Sequence, residues 1–399
     1  MHKIESIVSQ YNHSGRSDSF LKELQTNFIQ DGEKVIILNN KQFIIQKIPS
    51  PLYKVISLTE LQGELKRVLD HTPLVLKRLT ITKLLEDEIE QTNSIENIHT
   101  NRQSVRELIA GVSDKKKRRE QQIVKHYMQI FEDNITLDSP EDISNLYYSF
   151  LQDYISKKDL DETGSLFRKD GVDVVTAKNK VIHSGINGED NIISAVDTLL
   201  SYLNNNIENI YIKVAAFHYF FGYIHPFYDG NGRMVRLITA SKLHPELDIA
   251  SLAISDVIAN NQSIYYKMFD ETNSQFNVGD ITSFVYKFLE FIEEAVRTTL
   301  THIKRNNMLI DIFNSHLNST KLDDTNKTCL SIIYQASLVN ENLSKNQLCK
   351  ELDLSMPTLN KKLAQLEDNN YLTINRSVKP NIISINDVWF NTLDMTIQN

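Results

Sequence analysis

The feature that most restricts how this chain can fold is residues 224–237, with the sequence IHPFYDGNGRMVRL. The preceding segment, VAAFHYFFGYI, is apolar on nearly every side, which predicts a buried helix. Pro226 disfavours helical backbone at His225, so the helix should end there. The glycines of DGNG allow a sharp turn, and RMVRLITASKL has the pattern of a second helix. The run therefore predicts a helix-loop-helix with polar side chains at the mouth of the loop.

The loop and the start of the second helix predict a phosphate-binding site. Gly230, Asn231 and Gly232 form a turn that leads into a helix, and such a turn points backbone N–H groups at one position. Arg233 and Arg236 are three residues apart, so they share a helix face. Their forked guanidinium groups can therefore reach the outer phosphates of a polyphosphate.

Two further side chains supply what a phosphate transfer needs. Asp229 offers hard oxygen ligands beside the turn, which suits Mg²⁺ that also binds phosphates. Histidine ordinarily titrates near neutral pH, so His225 is the expected general base. His218 stands seven residues earlier on the apolar helix and is interpreted as a core histidine. A single His-Pro-Phe or Gly-Asn-Gly is usually structural, but the contiguous set predicts a base, a metal ligand and a phosphate cradle.

These residues resemble the signature of Fic-domain proteins, which is HPFx(D/E)GNGRxxR in outline. Every constrained position of that outline is met by HPFYDGNGRMVR, residues 225–236. The mostly helical middle region is similar to the Fic fold, and residues 167–185, with alternating β-branched side chains, resemble the β-hairpin "flap" of that family. The resemblance implies a mainly α fold with this hairpin inserted among the helices.

Fic proteins with this motif mostly transfer AMP from ATP to a hydroxyl group of a target protein. The resemblance implies that His225 deprotonates a Ser, Thr or Tyr hydroxyl, which then attacks the α-phosphorus of ATP and releases pyrophosphate. It implies that Asp229 holds Mg²⁺ on the α- and β-phosphates and that Asn231, with the turn, steadies the α-phosphate. Arg233 would bind on the β-phosphate side and Arg236 would bind the γ-phosphate.

The resemblance also extends beyond the motif. Similar Fic proteins place a pair of tyrosines near the adenosine, which makes Tyr265 the candidate here; a core aromatic residue at helical spacing is the alternative interpretation. The flap would align the target segment by strand addition. Relatives often use self-association for control, and the sequence leaves open whether this protein forms a homo-oligomer. Transfer of another nucleotide, such as UMP, stays open.

The segment TNSIEN, residues 92–97, fits the pattern (S/T)xxxE(G/N) through Thr92, Glu96 and Asn97. Alone the pattern is weak, because any solvent-exposed helix can contain it. In Fic proteins with an inhibitory helix, this glutamate pairs with the second arginine of the motif, which here is Arg236. A paired arginine cannot bind the γ-phosphate, so the resemblance implies low resting activity. Some autoinhibited relatives also remove AMP, and the sequence leaves that open.

Three regions follow from the patterns along the chain. Residues 1–103 should hold a short hairpin, KVIILNNKQFIIQ around Asn39–Asn40, and the inhibitory helix. Residues 104–306 should form the Fic core. Residues 307–399 should form short helices, two of them beginning after Ser344 and Ser355, and then two strands, which resembles a winged helix-turn-helix domain.

The charge does not indicate a nucleic-acid-binding protein. The net charge is −8, and residues 341–399 hold six basic and seven acidic residues. DNA binding through the helix around residues 358–365 is therefore left open, beside a role in protein contacts or dimerisation. A DNA-binding regulator whose Fic domain senses a nucleotide is the alternative function. The presence of His225 and Asp229 favours an enzyme, because binding alone needs no base.

The sequence also predicts where the protein works. Cys329 and Cys349 are the only cysteines, which is typical of a reduced intracellular compartment. The N-terminal MHKIESIVSQYNHSG lacks the pattern of a signal peptide. No apolar run approaches the roughly 20 residues that span a bilayer. We therefore expect a cytoplasmic protein without a membrane partner.

Overall fold

The computed structural model describes residues 6–46, 48–109, 111, 118–132, 135–151, 153–155, 164–175, 181–205, 208–378, 381–386 and 388–390. Within these residues the chain is mainly helical, as predicted, with small antiparallel hairpins. None of the described helices has both the length and the apolar character that crossing a membrane requires. The elements in chain order are α1 (Ile7–His13), α2 (Asp18–Asp31), β1 (Gly32–Leu38), β2 (Lys41–Gln46), α3 (Pro49–Asp70), α4 (Leu74–Ile95), α5 (Arg102–Ile109), α6 (Arg118–Glu132), α7 (Pro140–Leu151), β3 (Asp173–Val175), β4 (Val181–Ser184), α8 (Glu189–Asn204), α9 (Ile210–Ile224), α10 (Asn231–Leu247), α11 (Ile254–Asn260), α12 (Gln262–Asn273), α13 (Thr282–Ser319), α14 (Asp324–Leu338), α15 (Lys345–Leu352), α16 (Met356–Asp368), β5 (Leu372–Asn375) and β6 (Ile382–Ile385).

The chain forms two compact units. The first consists of residues 1–64 and 84–297, and the second consists of residues 65–83 and 298–399. In the first unit, α9 lies at the centre of the core, and its residues are buried on nearly every side. It packs against α8 and α10. An apolar surface around the whole helix is what a fully enclosed helix needs, so the sequence pattern predicted this burial.

Two hairpins of the first unit were predicted. β1 and β2 pair antiparallel, and the turn residues Asn39 and Asn40 have φ angles of 47° and 62°. Asparagine tolerates this left-handed backbone better than most residues, which explains the turn. β3 and β4 also pair antiparallel, with Asp173 opposite Ser184, inside the predicted flap of residues 167–185. Residues 176–180 of that segment lie outside the described residues.

The second unit contains three helices, α14 to α16, followed by the antiparallel pair β5 and β6. Its core includes Leu330, Leu348, Leu359 and Leu363, all fully buried or nearly so. Ser344 caps α15 with a reciprocal pair of bonds to Gln347, and Ser355 caps α16, as the sequence predicted. The assignment of this unit to the winged-helix class stays a prediction.

Candidate active site

His225 stands at the C-terminal end of α9, where the sequence predicted the helix to end. Its backbone is left-handed, with φ 53° and ψ 63°, and its N–H donates to the Phe221 carbonyl. Burial lowers the pKa of the imidazole to about 4, and the positive charge of Arg168 contributes to that decrease. At neutral pH the imidazole is therefore uncharged and can accept a proton.

The loop after His225 is held by the side chain of Asn231. Its Oδ1 accepts the Phe227 N–H at 3.0 Å, and its Nδ2 donates to the Phe227 carbonyl at 2.8 Å. The ring of Phe227 stacks on Tyr147 with centroids 3.6 Å apart, and the Tyr147 hydroxyl donates to the Asp229 carbonyl at 3.1 Å. Asn231, expected beside the α-phosphate, thus uses both side-chain groups to shape the loop, which leaves its backbone N–H at the start of α10.

Arg233 carries a buried charge with little compensation. Its side chain has no exposed surface, and none of its three guanidinium nitrogens has a hydrogen-bond partner among the described residues. The nearest charge is the Asp229 carboxylate at 3.5 Å, and the guanidinium lies 5.4 Å from the ring centroid of Tyr154. A buried cation without acceptors is unfavourable, so this side chain is suited to binding an anion.

Arg236 is in the opposite situation, because α4 occupies its donors. Its Nε donates to the Thr92 hydroxyl at 2.8 Å, and its Nη2 donates to the Thr92 carbonyl at 2.8 Å and to Glu96 Oε1 at 2.9 Å. Burial is the largest single influence and works to lower the pKa of Arg236, but Glu96, Tyr265 and Tyr127 together outweigh it, and the pKa is raised overall. The pairing expected from the sequence is thus formed in this structure.

The end of α4 explains the motif residue Asn97. The N–H of Ile98 donates to the Asn93 carbonyl, and the N–H of Asn97 donates to the Ser94 carbonyl. With φ 57° at Asn97, these bonds form a Schellman motif. Glycine and asparagine are the residues that adopt this backbone most easily, which is why either can follow the glutamate. The cap directs Glu96 toward α10.

Gly232 makes room for this glutamate. A Cβ atom at Gly232 would overlap the Glu96 carboxylate and would lie 2.9 Å from Nη1 of Arg236. Gly230 is required for another reason, because its φ of 79° is left-handed and a Cβ would lie 2.7 Å from Leu151. Asp229 is half exposed, and its Oδ1 accepts the Gly230 N–H at 2.6 Å. Its other oxygen faces Arg233.

Part of the predicted set lines a cavity of about 240 Å³, and Asp229, Gly230, Thr92 and Asn97 are not among its described lining residues. Glu96, His225, Gly232 and Arg236 all contribute to its lining, while Arg233 is not among the described residues that line it. One wall is aromatic and consists of Tyr265, Tyr266 and Phe269, with Asn273 beside them, and the flap contributes Val172, Asp173 and His183. A cavity lined by aromatic side chains together with Gly232 and Arg236 suits a ligand that has a flat base and phosphates.

Tyr265 is both a wall residue and a core residue. It is 5% exposed, and its hydroxyl lies 2.8 Å from Nε2 of His218. The other nitrogen of His218 lies 2.9 Å from the Thr239 hydroxyl, and burial lowers the pKa of this histidine well below its ordinary value. His218 is therefore a satisfied core histidine, as predicted, and it fixes the position of Tyr265.

Sequence reasoning missed two buried charged groups near the site. Arg168 bonds to the backbone of His225, and Glu88 lies on α4 one turn before Thr92. Glu88 accepts hydrogen bonds from the Tyr127 hydroxyl and from both the N–H and the hydroxyl of Ser255. Burial raises the pKa of Glu88 to about 7. Neither residue belongs to a recognisable motif, because their partners are distant in the sequence.

Part of the chain is similar to known proteins. Residues 136–243 match the model of the Fic/DOC family, so this part of the chain is a Fic domain. A Fic family protein from Desulfovibrio desulfuricans is similar in structure, with a TM-score of 0.53 and 23% sequence identity over 85% of this chain and 96% of that one. The two proteins share a fold.

Two other solved structures are similar at lower scores. A Fic domain containing signaling protein from Bacteroides thetaiotaomicron has a TM-score of 0.46 and 19% identity, over 62% of this chain and 97% of that one. Fic-1 from C. elegans has a TM-score of 0.40 and 16% identity, over 64% of this chain and 75% of that one. No curated protein sequence matches this chain closely enough to count as a relative.

Proposed function

We propose that this protein is an autoinhibited adenylyltransferase, which transfers AMP from ATP to a Ser, Thr or Tyr hydroxyl of a protein. The observation that carries the proposal is the contrast between two buried arginines of one Fic motif. Arg233 has no hydrogen-bond partner among the described residues, while Arg236 is bonded to Thr92 and Glu96. A bound phosphate would supply the acceptors that Arg233 lacks, whereas Arg236 already has acceptors from α4.

The general base in this proposal is His225. Its imidazole lines the cavity and is uncharged at neutral pH, because burial and Arg168 hold its pKa at about 4. The target hydroxyl gives its proton to the imidazole as its oxygen forms a bond to the α-phosphorus. The bond from that phosphorus to the bridging oxygen breaks, and pyrophosphate leaves with the electron pair. Catalysis then consists of proton removal, positioning and charge stabilisation.

The start of α10 is the proposed phosphate cradle. The first N–H groups of a helix have no partners inside the helix, and Asn231 and Gly232, the first two residues of α10, both line the cavity. Arg233 would bind on the β-phosphate side, where an anion would satisfy its buried guanidinium. Arg236 would bind the γ-phosphate after Glu96 moves away.

A magnesium ion fits the donors present, with Asp229 as its protein ligand. Its carboxylate is 49% exposed beside the cradle, and Mg²⁺ usually binds one or two carboxylates together with substrate phosphates and water. When bound, the ion would neutralise charge on the α- and β-phosphates. Among the described residues, no cluster of three or more His, Cys, Asp or Glu side chains could hold a metal alone, so substrate oxygens would complete the site.

Two further parts of the cavity would bind the nucleoside and the target. The aromatic wall with Tyr265 would hold the base, whose identity as adenine is part of the proposal. The strands β3 and β4 form a two-stranded sheet, and Asp173 and His183 line the cavity. An exposed edge of such a sheet can add an extended target segment as another strand, which would bring the target hydroxyl to His225.

The inhibition follows from competition for one guanidinium. As long as Glu96 accepts from Nη2 of Arg236, a γ-phosphate at that position would meet a carboxylate instead of a cation. ATP would then bind with its phosphates displaced, and the α-phosphorus would not be aligned with the target oxygen. Low activity in the resting protein is the expected result.

The test uses ATP labelled on either the α- or the γ-phosphate, with Mg²⁺, the Glu96→Gly protein and a cell lysate as the source of targets. We expect label on protein from α-labelled ATP only, and no label after the additional change His225→Ala. Label from γ-labelled ATP would instead indicate phosphate transfer. A Glu96→Gly protein that binds ATP but labels neither itself nor any lysate protein would contradict the proposal.

A further inference from the structure

Arg168 connects three parts of the active site through backbone carbonyls. Its Nε donates to the His225 carbonyl at 2.7 Å, and its Nη2 donates to the carbonyls of Ile186 at 2.7 Å and Ile224 at 3.3 Å. Its Nη1 donates to the Asp170 carbonyl. The side chain therefore joins the end of α9 to both roots of the flap, the segments before β3 and after β4.

The backbone on either side adds to the same junction. The N–H of Arg168 donates to the Pro226 carbonyl at 3.1 Å, and the N–H of Ile186 donates to the Ile224 carbonyl at 3.1 Å. The carbonyls of Ile224 and His225 belong to the last residue of α9 and its cap, where no further helical turn supplies donors. Arg168 supplies those donors, and it thereby stabilises the left-handed backbone that directs His225 into the cavity.

The arginine is buried, and its charge is not cancelled. The residue is 1% exposed, and among the residues that the structure describes no carboxylate pairs with it. All its acceptors are neutral carbonyls, so a full positive charge stays next to His225. A neutral side chain of similar shape would have fewer N–H groups for these carbonyls. The position therefore favours a cation.

Gly185 shows that the neighbouring chain leaves space for the guanidinium. A Cβ atom at Gly185 would overlap Nη2 of Arg168, and it would lie 3.0 Å from the His225 Cβ and 3.1 Å from the Ile224 carbonyl oxygen. Its φ is not left-handed, so space alone restricts this position to glycine. The junction therefore depends on Arg168 and Gly185 together.

We propose that Arg168 is a positioning residue for the transfer reaction, which sets the place of His225, joins it to the flap that would hold the target, and holds a positive charge beside its imidazole. This proposal rests on the proposed function for its effect on activity. The effect of Arg168 on the titration of His225 is independent of the proposed function, because it can be measured without any reaction.

Burial is the largest cause of the low pKa of His225, and the charge of Arg168 adds to it. The phosphates of ATP bring several negative charges into the cavity, and negative charge favours the imidazolium form. Three described charged or titratable groups act on His225: Arg168 and His183 favour its neutral form, and Glu96 favours its protonated form. Of the two groups that favour the neutral form, Arg168 has the larger effect and does not titrate near neutral pH.

The test separates charge from geometry by using Arg168→Met and Arg168→Lys, both in the Glu96→Gly protein. Histidine labelled with ¹³C allows the titration of His225 to be followed by NMR, and the His225→Ala protein assigns its signal. In Arg168→Met we expect the pKa of His225 to rise from about 4 toward the ordinary value of 6.5. In Arg168→Lys we expect a low pKa but a kcat at least about tenfold lower, because lysine cannot bond to the same carbonyls.

Gly185→Ala tests the same junction without removing any charge. If neither Arg168 variant folds, this variant alone tests the positioning role of Arg168. The matched control is Gly171→Ala, where a Cβ would make only an ordinary contact of 3.7 Å with Asn187. We expect Gly185→Ala to lose at least about tenfold in kcat and Gly171→Ala to keep the reference value. Equal activity of the two variants would overturn the proposal.

Two other results would also overturn it. One is an unchanged pKa of His225 in Arg168→Met, and the other is transfer by Arg168→Lys within twofold of the reference. If the Glu96→Gly reference itself transfers no AMP, the proposed function fails, but the titration of His225 still supports or overturns the role of Arg168.

Discussion

Arg236 on α10 donates a hydrogen bond to Glu96 at the end of α4, with Nη2 and Oε1 2.9 Å apart. The two residues are far apart in the sequence, and the arginine is buried while the glutamate is 28% exposed. A buried cation needs acceptors, and here the acceptors come from α4. The same cation is the proposed partner of the ATP γ-phosphate. Whether Arg236 is bonded to Glu96 would therefore decide whether ATP can bind in a productive position.

Thr92 should share the control of Arg236 with Glu96. Thr92→Val removes the hydroxyl that accepts from Nε at 2.8 Å but keeps the carbonyl that accepts from Nη2. A buried donor left unpaired costs about 1–3 kcal/mol, so the inhibited arrangement should weaken. We expect AMP transfer above the wild-type rate and below that of Glu96→Gly, together with a lower Tm. Thr92→Ser, which keeps the hydroxyl, should behave as wild type, and a Thr92→Val protein no faster than Thr92→Ser would contradict this role.

The left-handed residue that ends α4 gives a second prediction. Asn97 has φ 57°, and alanine in this conformation costs about 1 kcal/mol or more, whereas glycine costs little. We expect Asn97→Ala to lower the free energy of unfolding by about 1 kcal/mol and to raise AMP transfer, because Glu96 is held less firmly. Asn97→Gly should change neither quantity by much. Urea denaturation and transfer assays check both, and equal effects of the two changes would show that the cap does not direct Glu96.

Arg233 should lower the stability of the unliganded protein and strengthen its binding of ATP. Replacing it by methionine removes a buried charge that has no hydrogen-bond partner among the described residues. We expect the unliganded Arg233→Met protein to be more stable than wild type, by about 1–3 kcal/mol. The same protein should bind ATP far more weakly in calorimetry. A protein that is less stable without ligand would mean that the Asp229 carboxylate and the Tyr154 ring compensate the charge.

Glu88 predicts a specific dependence of stability on pH. Its pKa is about 7 in the folded protein because burial disfavours the carboxylate, and its ordinary value is 4.5. Between these values the folded state keeps a proton that the unfolded state releases, so stability falls as the pH rises from about 4.5 to 7. The loss attributable to this residue should reach about 3 kcal/mol. Glu88→Gln carries no such proton, so its free energy of unfolding should change less over this range. Parallel pH dependence of the two proteins would contradict the prediction.

Much of the local structure could be predicted because its causes are local. Pro226 ends α9 at His225, Asn39 and Asn40 form the first hairpin turn, and Ser344 caps α15. The helix α3 begins at Pro49 and also contains Pro51. Both prolines lie in the first turn, where the missing N–H has no helical partner to lose.

The motif residues of the candidate site could be predicted from the sequence, but the buried side chains that hold them in place could not. His225, Arg236 and Glu96 follow from short patterns, and the structure brings all three to one cavity. Arg168 and Glu88 could not be predicted in the same way. Their partners are carbonyls, hydroxyls and N–H groups of distant segments, and only the packing of the helices brings these together.

The measurement that tests the account most directly is the initial rate of label transfer from α-labelled ATP by three proteins: wild type, Glu96→Gly and Glu90→Gln. Glu90 lies on the same helix, but it pairs with Arg102 instead of Arg236, so its replacement controls for the loss of a carboxylate from α4. We predict that Glu96→Gly is at least about tenfold faster than wild type and that Glu90→Gln is not. A wild-type rate equal to that of Glu96→Gly would contradict the claim that the pair between Glu96 and Arg236 restrains the enzyme.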